Sequence, residues 1–289
     1  MKQYNTALKY WWEYCIQNSQ NPFSADDKTI LECLTKKFKE NAAYGSLNTM
    51  RSAIALINEQ DNSQNNNINR FFKGAFRLRP AAPRYDTIWD TDPVLKLLQS
   101  YHPLDSLDLM KLTEKLTMLL ALGSAYRVQS LSLIKLDGIS FSDRGVEIKI
   151  SDLIKTSRPG TNQPSCFLPY LKENLSLCIP IVLKEYISRT EPFRDNENQL
   201  MISFKKPYKA VGSQTISRWL KKVMRDAGVD ENYKGHSTRH AATSKAFKSG
   251  LNINDIKKAA GWSKNSNTFF KFYNRPIINN KSLAEAVLT

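Results

Sequence analysis

Two prolines within an arginine-rich stretch divide this chain into two parts. Pro80 and Pro83 lie between Arg77 and Arg84, and a helix cannot continue through them, because proline lacks a backbone donor and restricts the preceding residue. Proline also favours an extended backbone conformation, so this stretch predicts a semi-rigid linker. We therefore expect a first domain at residues 1–78, a linker at 79–84 and a second domain at 85–289.

The first part has the periodicity of helices throughout. Its apolar residues recur every three or four positions, which predicts four helices. We expect Ser24 to open the second helix and Ser46 to cap the third, since both are favoured N-cap residue types. In the fourth helix, the aromatic side chains are expected in the core: Phe71, Phe72 and Phe76.

The second part begins with helix and then changes period. Asp92-Pro93 is a helix start signal, and a leucine stripe follows it between Leu109 and Leu120. Val146, Ile148 and Ile150 then alternate with polar residues, which predicts a half-buried strand with partners at 139–141 and 166–168. Further helical segments are expected near 174–190, 213–227, 238–249, 253–260 and 266–274. The predicted fold class is mainly α with a small antiparallel β-sheet.

The charge of the chain is strongly positive and unevenly distributed. The formal net charge is +15, and residues 201–275 contain 16 basic and 4 acidic side chains. Such a surplus favours a polyanionic partner, although a lysine-rich solvated surface would give the same count. The motifs therefore have to distinguish the two interpretations.

Several classes of protein are disfavoured by the composition. The four cysteines stand singly, without a C-x-x-C pair, so we expect neither a zinc site nor a disulfide framework, and a reducing compartment. No apolar run is long enough for a membrane span, and the first residues lack a signal-peptide core. No phosphate-binding glycine loop is found, so nucleotide hydrolysis has no predicted site. We expect an intracellular protein.

Two of the three histidines lie together in the sequence His236-Ser237-Thr238-Arg239-His240. On a helix, His236 and Arg239 would project from one face, since they are three residues apart. A metal site is disfavoured because suitably spaced carboxylates and cysteines are missing, whereas two buried core histidines remain an alternative. The candidate residues and motifs follow a specific order along the chain: an arginine at 127, a lysine at 155, then H-x-x-R, Gly261-Trp262 and a tyrosine at 273.

With this order of motifs, the sequence resembles the tyrosine recombinase (phage-integrase-like) family, the group that contains lambda integrase and Cre. The resemblance covers most of the chain and implies a helical core-binding domain that clamps DNA, a linker, and a mixed α/β catalytic domain. The residues around Arg127, the stretch 80–90 and the segment from Gly261 to Tyr273 look most like recombinases of eukaryotic mobile elements, the DIRS-like retrotransposons and Cryptons.

The resemblance implies a catalytic set of Arg127, Lys155, His236, Arg239, Trp262 and Tyr273. The two arginines would grip the scissile phosphate, which suits guanidinium groups as fixed bidentate donors. The lysine would be the general acid, the histidine would assist proton transfer, and the indole would add a hydrogen-bond donor. The tyrosine would form a covalent 3′-phosphotyrosine, so no metal, ATP or other cofactor is expected.

The sequence departs from the family pattern at two places. Ser130, a candidate supporting residue, stands where many members have an acidic residue that supports the active-site arginine and histidine. We therefore expect other groups to supply the support that the acidic residue would give. The gap of eleven residues from Trp262 to Tyr273 is slightly longer than in the better-known members. His240 is interpreted as a supporting residue, with a packing role as the alternative. Tyr208 and Tyr233 are the other tyrosines of the basic region.

The remaining basic residues are candidates for DNA contacts. They would contact DNA phosphates without recognising the base sequence. Arg51, on the third helix, would face the major groove. The predicted DNA-binding residues are Arg51, Arg77, Arg79, Arg84, Lys205, Lys206, Lys209, Arg218, Lys221 and Lys222. By resemblance, the apolar tail at 277–289 would dock on a neighbouring protomer, although folding back on its own domain is the alternative.

The sequence therefore predicts a site-specific recombinase or integrase of a mobile element, acting in transposition. It would bind double-stranded DNA as a dimer on one site and as a tetramer in synapsis, without a membrane partner, and in the nucleus if the host is eukaryotic. Two alternatives remain open: a type IB topoisomerase-like enzyme with the same chemistry, and a catalytically silent DNA-binding protein derived from a recombinase.

Overall fold

The computed structural model describes residues 2–59, 65–80, 84–154, 157 and 163–277. The chain divides into two compact units, Met1–Arg84 and Tyr85–Thr289. Most of the described residues are helical, and one three-stranded antiparallel sheet lies in the second unit, as the sequence predicted. In the part of the chain that is described, no helix combines the length and the apolar character that crossing a bilayer would require.

The first unit is a group of four helices: α1 (Asn5–Gln17), α2 (Asp27–Lys39), α3 (Tyr44–Ala55) and α4 (Asn66–Leu78). Their buried faces form one apolar core around Trp11, Leu34 and Leu47. The core is built from residues at helical spacing, which is why the periodicity predicted these helices correctly.

Two predicted caps and one predicted core residue of this unit are wrong. Asp26, not Ser24, caps α2, because its carboxylate accepts the Thr29 N–H at 2.8 Å. The helix α3 begins at Tyr44, so Ser46 lies inside its first turn and makes no cap. Phe76 is 47% exposed, and its ring meets the partly buried ring of Tyr44 edge to face, with the centroids 5.4 Å apart.

The second unit contains α5 (Asp92–Ser100), α6 (Leu109–Ser124), α7 (Val128–Ser132), α8 (Ile179–Thr190), α9 (Ser213–Asp226), α10 (Ser237–Lys248) and α11 (Ile253–Ala259). The helix α6 is central: it packs against α8, α9 and α10, and even its charged residues Glu114 and Lys115 are buried. The sequence predicted a leucine stripe on one face, but packing on several sides buries most of the helix.

The sheet consists of β1 (Ile139–Ser142), β2 (Gly145–Lys149) and β3 (Ser165–Pro169), in that spatial order. Its register pairs Ile139 with Ile148 and Ile148 with Cys166. The alternating residues Val146 and Ile148 are fully buried on the face that joins the core, as the period of two predicts.

The last predicted helix, at 266–274, is reduced to a single π turn, Phe269–Tyr273. The Asn274 N–H donates to the Phe269 carbonyl at 2.8 Å, five residues back. A π turn contains one more residue than an α turn and is frequent at functional sites. This turn therefore accommodates part of the long gap that separates Trp262 from Tyr273.

Candidate active site

The helix α10 is the central element of the candidate site, and its first and last turns both contact the start of the second unit. The Trp89 indole N–H donates to the Ser237 hydroxyl at 2.9 Å, and the Lys245 ammonium pairs with Asp92 at 2.9 Å. Gly235, just before the helix, lies so close to the Ser217 backbone and hydroxyl that a Cβ would meet the hydroxyl oxygen at 2.7 Å. These contacts fix the position from which Arg239 and His240 project.

Arg239 is only 3% exposed and is held by backbone carbonyls. One terminal nitrogen donates to the Ala125 carbonyl at 2.7 Å, and the other donates to the Ala260 carbonyl. The Nε atom is buried without a hydrogen-bond partner. Burial, together with the positive charge of Arg127, lowers the pKa of Arg239 to about 10, so the side chain stays cationic at neutral pH.

The end of α6 supplies both a carbonyl for Arg239 and the second arginine. Ala125 takes the left-handed conformation, with φ 52°, as the C-cap residue of α6. Non-glycine residues adopt this conformation at a cost, and they do so mostly where the surrounding structure requires it. The chain then turns so that Arg127, partly buried at the N-cap of α7, interacts electrostatically with Arg239.

Trp262 is positioned by the end of α11. Gly261 has φ 64°, its N–H donates to the Lys258 carbonyl, and the Trp262 N–H donates to the Lys257 carbonyl at 2.8 Å. This pair of bonds is a Schellman motif, which needs a residue free to adopt positive φ and therefore explains the glycine. The indole ring lies 4.7 Å from the Arg239 Cζ atom, and its Nε1 is buried without a partner.

Tyr273 lies at the end of the π turn, and its side chain contacts Arg239, His240 and Trp262. The ring stacks on His240, with centroids 4.0 Å apart and planes 21° apart. The Trp262 ring lies 4.7 Å away, and the Arg239 Cζ lies 5.6 Å from the phenol centroid. Arg239, His240, Trp262 and Tyr273 therefore form one cluster beside Arg127.

The two histidines of α10 and its N-cap, His240 and His236, have different environments. His236 is exposed at the N-cap of α10, so it does not share the buried environment of Arg239. His240 is partly buried, and burial together with the charges of His236, Arg239 and Arg275 lowers its pKa to about 4. Its Nδ1 is buried without a partner. His240 is therefore neutral at pH 7.

Two further residues of the predicted site need separate mention. Lys155 lies outside the described residues, in the connection between β2 and β3. Ser130 is buried on α7, and the terminal nitrogens of Arg239 donate to backbone carbonyls rather than to a carboxylate. Ala125 and Ala260 therefore provide acceptors that an acidic residue would otherwise supply.

Sequence reasoning missed three residues that contact this cluster. The Tyr85 ring lies 5.8 Å from His236 and 5.7 Å from His240, and Ser244 donates to the Tyr273 carbonyl. Arg275 contributes to the lowered pKa of His240. For Ser244 and Arg275, the only available signal was proximity: one follows His240 by four residues on α10, and the other follows Tyr273 by two.

The alternative tyrosines of the basic region do not join the cluster. The Tyr233 hydroxyl donates to the Thr87 carbonyl at 3.2 Å, and the side chain is buried. Tyr208 stacks on Phe193, with centroids 4.8 Å apart. Among the three candidates, Tyr273 is thus the one packed against the buried arginine and the indole.

The predicted DNA-binding residues are distributed over both units. Lys205, Lys206 and Lys209 are exposed on a short loop closed by the Ile202–Ala210 bridge. Exposed side chains also include Arg77, Arg84 and Arg218, while Arg51 and Lys221 are partly buried.

Arg79 and Lys222 each make more than one close contact within the protein. Arg79 donates to the Phe38 carbonyl at 2.8 Å and lies 3.7 Å from the centre of the Phe38 ring. Lys222 pairs with Glu114 at 3.1 Å and with Asp226 at 3.0 Å. Arg79 is thus bound within the first unit and Lys222 within the second. These contacts do not favour a role of either residue in binding phosphates.

The sequence profile of the phage integrase family matches residues 90–277, which is more than half of the chain. No curated protein sequence matches this chain. Among solved structures, XerH recombinase bound to difH substrate before cleavage gives a TM-score of 0.64 at 14% identity, covering 99% of this chain and 78% of that chain.

Two other structures have the same fold. A lambda integrase dimer (residues 75–356) on a COC′ core site gives a TM-score of 0.56 at 16% identity, covering 96% of this chain and 90% of that chain. The Tn1549 transposon integrase with circular intermediate DNA gives 0.55 at 11% identity, covering 93% and 85%. The matched family profile, with the shared fold, shows that this chain belongs to the phage integrase family.

Proposed function

We propose that this protein cuts and rejoins DNA strands as a tyrosine recombinase, through a covalent bond between Tyr273 and the 3′ phosphate. The observation that carries the proposal is a pair of buried donors without partners, Arg239 Nε and Trp262 Nε1, in two side chains that both lie beside the Tyr273 phenol ring. Buried donors are normally paired, so unpaired ones at a candidate site call for an oxygen-rich ligand. A phosphodiester supplies such oxygens.

The electrostatics of the cluster support an anionic ligand. Arg127 and Arg239 repel each other, which contributes to the lowered pKa of Arg239. A phosphate between them would relieve the repulsion and accept hydrogen bonds from both guanidiniums. As the phosphorus becomes five-coordinate, negative charge grows on its non-bridging oxygens, and fixed donors in a buried site stabilise that charge without reorganising.

The reaction we propose is a reversible transesterification. The Tyr273 phenol oxygen attacks phosphorus and forms a P–O bond, its proton passes to a base, and the bond from phosphorus to the 5′ oxygen breaks. His236, exposed beside the cluster, assists proton transfer, and Lys155 protonates the leaving oxygen. Lys155 receives this role from the family resemblance alone. A 5′ hydroxyl from another strand then reverses the step, so the bond energy is retained without ATP.

The basic surface and the solved relatives support a DNA-bound assembly. The lysine loop at Lys205, Lys206 and Lys209 is exposed and would contact phosphates. The related structures contain XerH on difH, a lambda integrase dimer on a core site and a lambda integrase tetramer on a Holliday junction. We propose a dimer on each site and a tetramer in synapsis, with the tail at 277–289 docking on a neighbouring protomer. Beyond Ile277, that tail lies outside the described residues.

The type of genetic element remains a prediction from sequence resemblance. We propose a mobile-element recombinase of the DIRS-like or Crypton kind, which in a eukaryotic host would act in the nucleus. Substrates carrying the ends of candidate elements test this assignment separately from the chemistry.

The function is tested with a pool of random DNA duplexes that carry a nick, so that the cleaved fragment is released. Wild-type protein is expected to form a covalent adduct that survives denaturing electrophoresis. Tyr273→Phe should bind DNA with similar affinity and form no adduct. The matched control Tyr208→Phe removes a phenol from the same basic region and should form the adduct at the wild-type rate.

The outcomes separate the three candidate activities. Transfer of the cleaved strand to a second duplex supports a recombinase, whereas resealing restricted to the original duplex indicates a type IB topoisomerase-like enzyme. DNA binding without any adduct would contradict the proposal and indicate a DNA-binding protein derived from a recombinase.

A further inference from the structure

Tyr273 is attached to α10 at two points, one on its ring and one on its backbone. His240 stacks on the phenol, and the Ser244 hydroxyl donates to the Tyr273 carbonyl at 2.7 Å. His240 and Ser244 are four residues apart, so they lie on the same face of the helix. Ser244 is only 1% exposed, which shields this hydrogen bond from water. The same helix also carries Arg239.

The residues that follow Tyr273 close the turn around it. The Ser244 oxygen also accepts the Arg275 N–H at 3.4 Å, so one hydroxyl bridges both sides of Asn274. The Arg275 guanidinium donates to the Lys271 carbonyl at 2.6 Å and to the Asn274 carbonyl at 3.3 Å. The π turn is therefore fixed by side-chain donors as well as by its own backbone bond.

We infer that Ser244 is a positioning residue for the nucleophile: its hydroxyl fixes the Tyr273 backbone so that the phenol remains beside Arg239 and Trp262. The inference rests on the proposed function and adds a residue to it. Ser244 touches neither the phenol nor the guanidinium in the hydrogen bonds described, so it acts through the backbone of Tyr273.

The physical reason is the sensitivity of phosphoryl transfer to alignment. The attacking oxygen, the phosphorus and the leaving oxygen have to be nearly in line, and a displacement of about 1 Å can reduce a rate about a hundredfold. The phenol extends from a π turn of only five residues, Phe269–Tyr273. A hydroxyl from the rigid helix α10 restricts that turn.

The test is single-turnover cleavage of the nicked duplex pool by Ser244→Ala at saturating DNA. We expect the rate constant for adduct formation to fall roughly tenfold to a hundredfold. The fraction of protein able to form adduct and the affinity for DNA should stay near wild type. The matched control is Thr117→Val, which removes an equally buried hydroxyl that donates only within α6, to Thr113. It should leave the rate constant unchanged.

A second variant protects the test against a failure of Ser244→Ala to fold. Arg275→Gln removes the two guanidinium bonds that close the turn and is expected to lower the same rate constant. The inference is overturned if the rate constant of folded Ser244→Ala stays within about twofold of wild type, even if its melting temperature and active fraction fall. If Ser244→Ala does not fold, an unchanged rate constant of Arg275→Gln overturns it. If wild-type protein itself forms no adduct, the proposed function fails, and the role of Ser244 fails with it.

Discussion

Two buried arginines in the second unit, Arg194 and Arg239, differ in how completely their donors are paired within the protein. Arg194, 5% exposed, donates from Nε to the Thr190 hydroxyl and from its terminal nitrogens to the Gln199 and Leu200 carbonyls. Arg239 is buried to a similar degree, but its Nε lacks a partner and another arginine lies nearby. Each nitrogen of Arg194 thus has an acceptor within the protein, whereas Arg239 Nε has none, and the proposed function assigns it a phosphate oxygen.

The difference explains why burial alone does not identify a site. A buried cation with all donors satisfied stabilises its surroundings by joining loops to helices. An unsatisfied donor costs free energy in the absence of ligand, and such costs are tolerated mainly where the ligand recovers them. The comparison therefore predicts that the two arginines differ in what their removal changes.

The largest expected effect is that replacing Arg239 lowers the cleavage rate, whereas replacing Arg194 lowers the stability. Arg239→Ala should slow cleavage of the nicked duplex pool at least about a thousandfold, because the charge that develops on the phosphate loses its donors. Its free energy of unfolding should fall by only about 1 kcal/mol, because the removal of a repelled charge and an unpaired donor offsets part of the cost of leaving two carbonyls without a donor. Urea unfolding and single-turnover cleavage measure the two quantities.

Arg194→Ala should show the reverse pattern. Three buried acceptors lose their donor, so the free energy of unfolding should fall by about 3 kcal/mol, while the folded fraction cleaves at the wild-type rate. A large loss of stability with Arg239→Ala, together with unchanged cleavage by the folded protein, would mean that both arginines are structural.

A smaller effect is expected from His240, whose Nδ1 is also buried without a partner. Its folded-state pKa of about 4 lies below the ordinary value of 6.5, so folding favours the neutral ring. This contribution to stability is fully present above pH 6.5 and is lost as the pH falls towards 4, by about 3 kcal/mol in total. His236, Arg239 and Arg275 are the charged groups that contribute to the lowered pKa.

The measurement is the free energy of unfolding at pH 7 and at pH 4, for wild type and for His240→Gln. The variant should lose less stability on acidification, by about 3 kcal/mol. Equal losses in the two proteins would show that the imidazole titrates normally and that the stacked cluster with Tyr273 is open to water.

The smallest expected effect compares an engaged lysine with an exposed one. Lys206→Gln should reduce the slope of log affinity against log salt for duplex DNA by about 0.9, the loss of one phosphate contact. Lys222→Gln should leave that slope unchanged, because Lys222 already pairs with Glu114 and Asp226. Fluorescence anisotropy between 50 and 200 mM salt, as rough limits, measures both slopes. If Lys222→Gln reduced the slope and Lys206→Gln did not, Lys222 rather than Lys206 would be the residue that contacts phosphate.

The sequence predicted the helices, the small sheet and the members of the cluster because each depends on local pattern or on motif order. It could not predict which side chains are buried around α10. His236 and Arg239 are three residues apart, yet one is exposed at the helix start and the other is enclosed by Ala125 and Ala260. Enclosure depends on chain segments more than twenty residues away, which periodicity does not report.

The active-site geometry also depends on backbone departures that composition does not indicate. The left-handed Ala125 and the π turn at Phe269–Tyr273 both occur where a regular helix was the local expectation or had just ended. Ser24 is the cap of α2 that the sequence predicted, but Asp26 is an equally favoured residue type, and its oxygen is the one that reaches the Thr29 N–H. Such choices are decided by tertiary packing.

The central claim is that the phenol of Tyr273 and the unpaired donors around it act on one phosphorus atom. The most direct measurement is mass spectrometry of the covalent protein–DNA adduct after digestion with protease and nuclease. We expect a nucleotide attached through its 3′ phosphate to the peptide that contains Tyr273. Attachment to Tyr208 or Tyr233, or a digest with no nucleotide-modified tyrosine, would contradict the account.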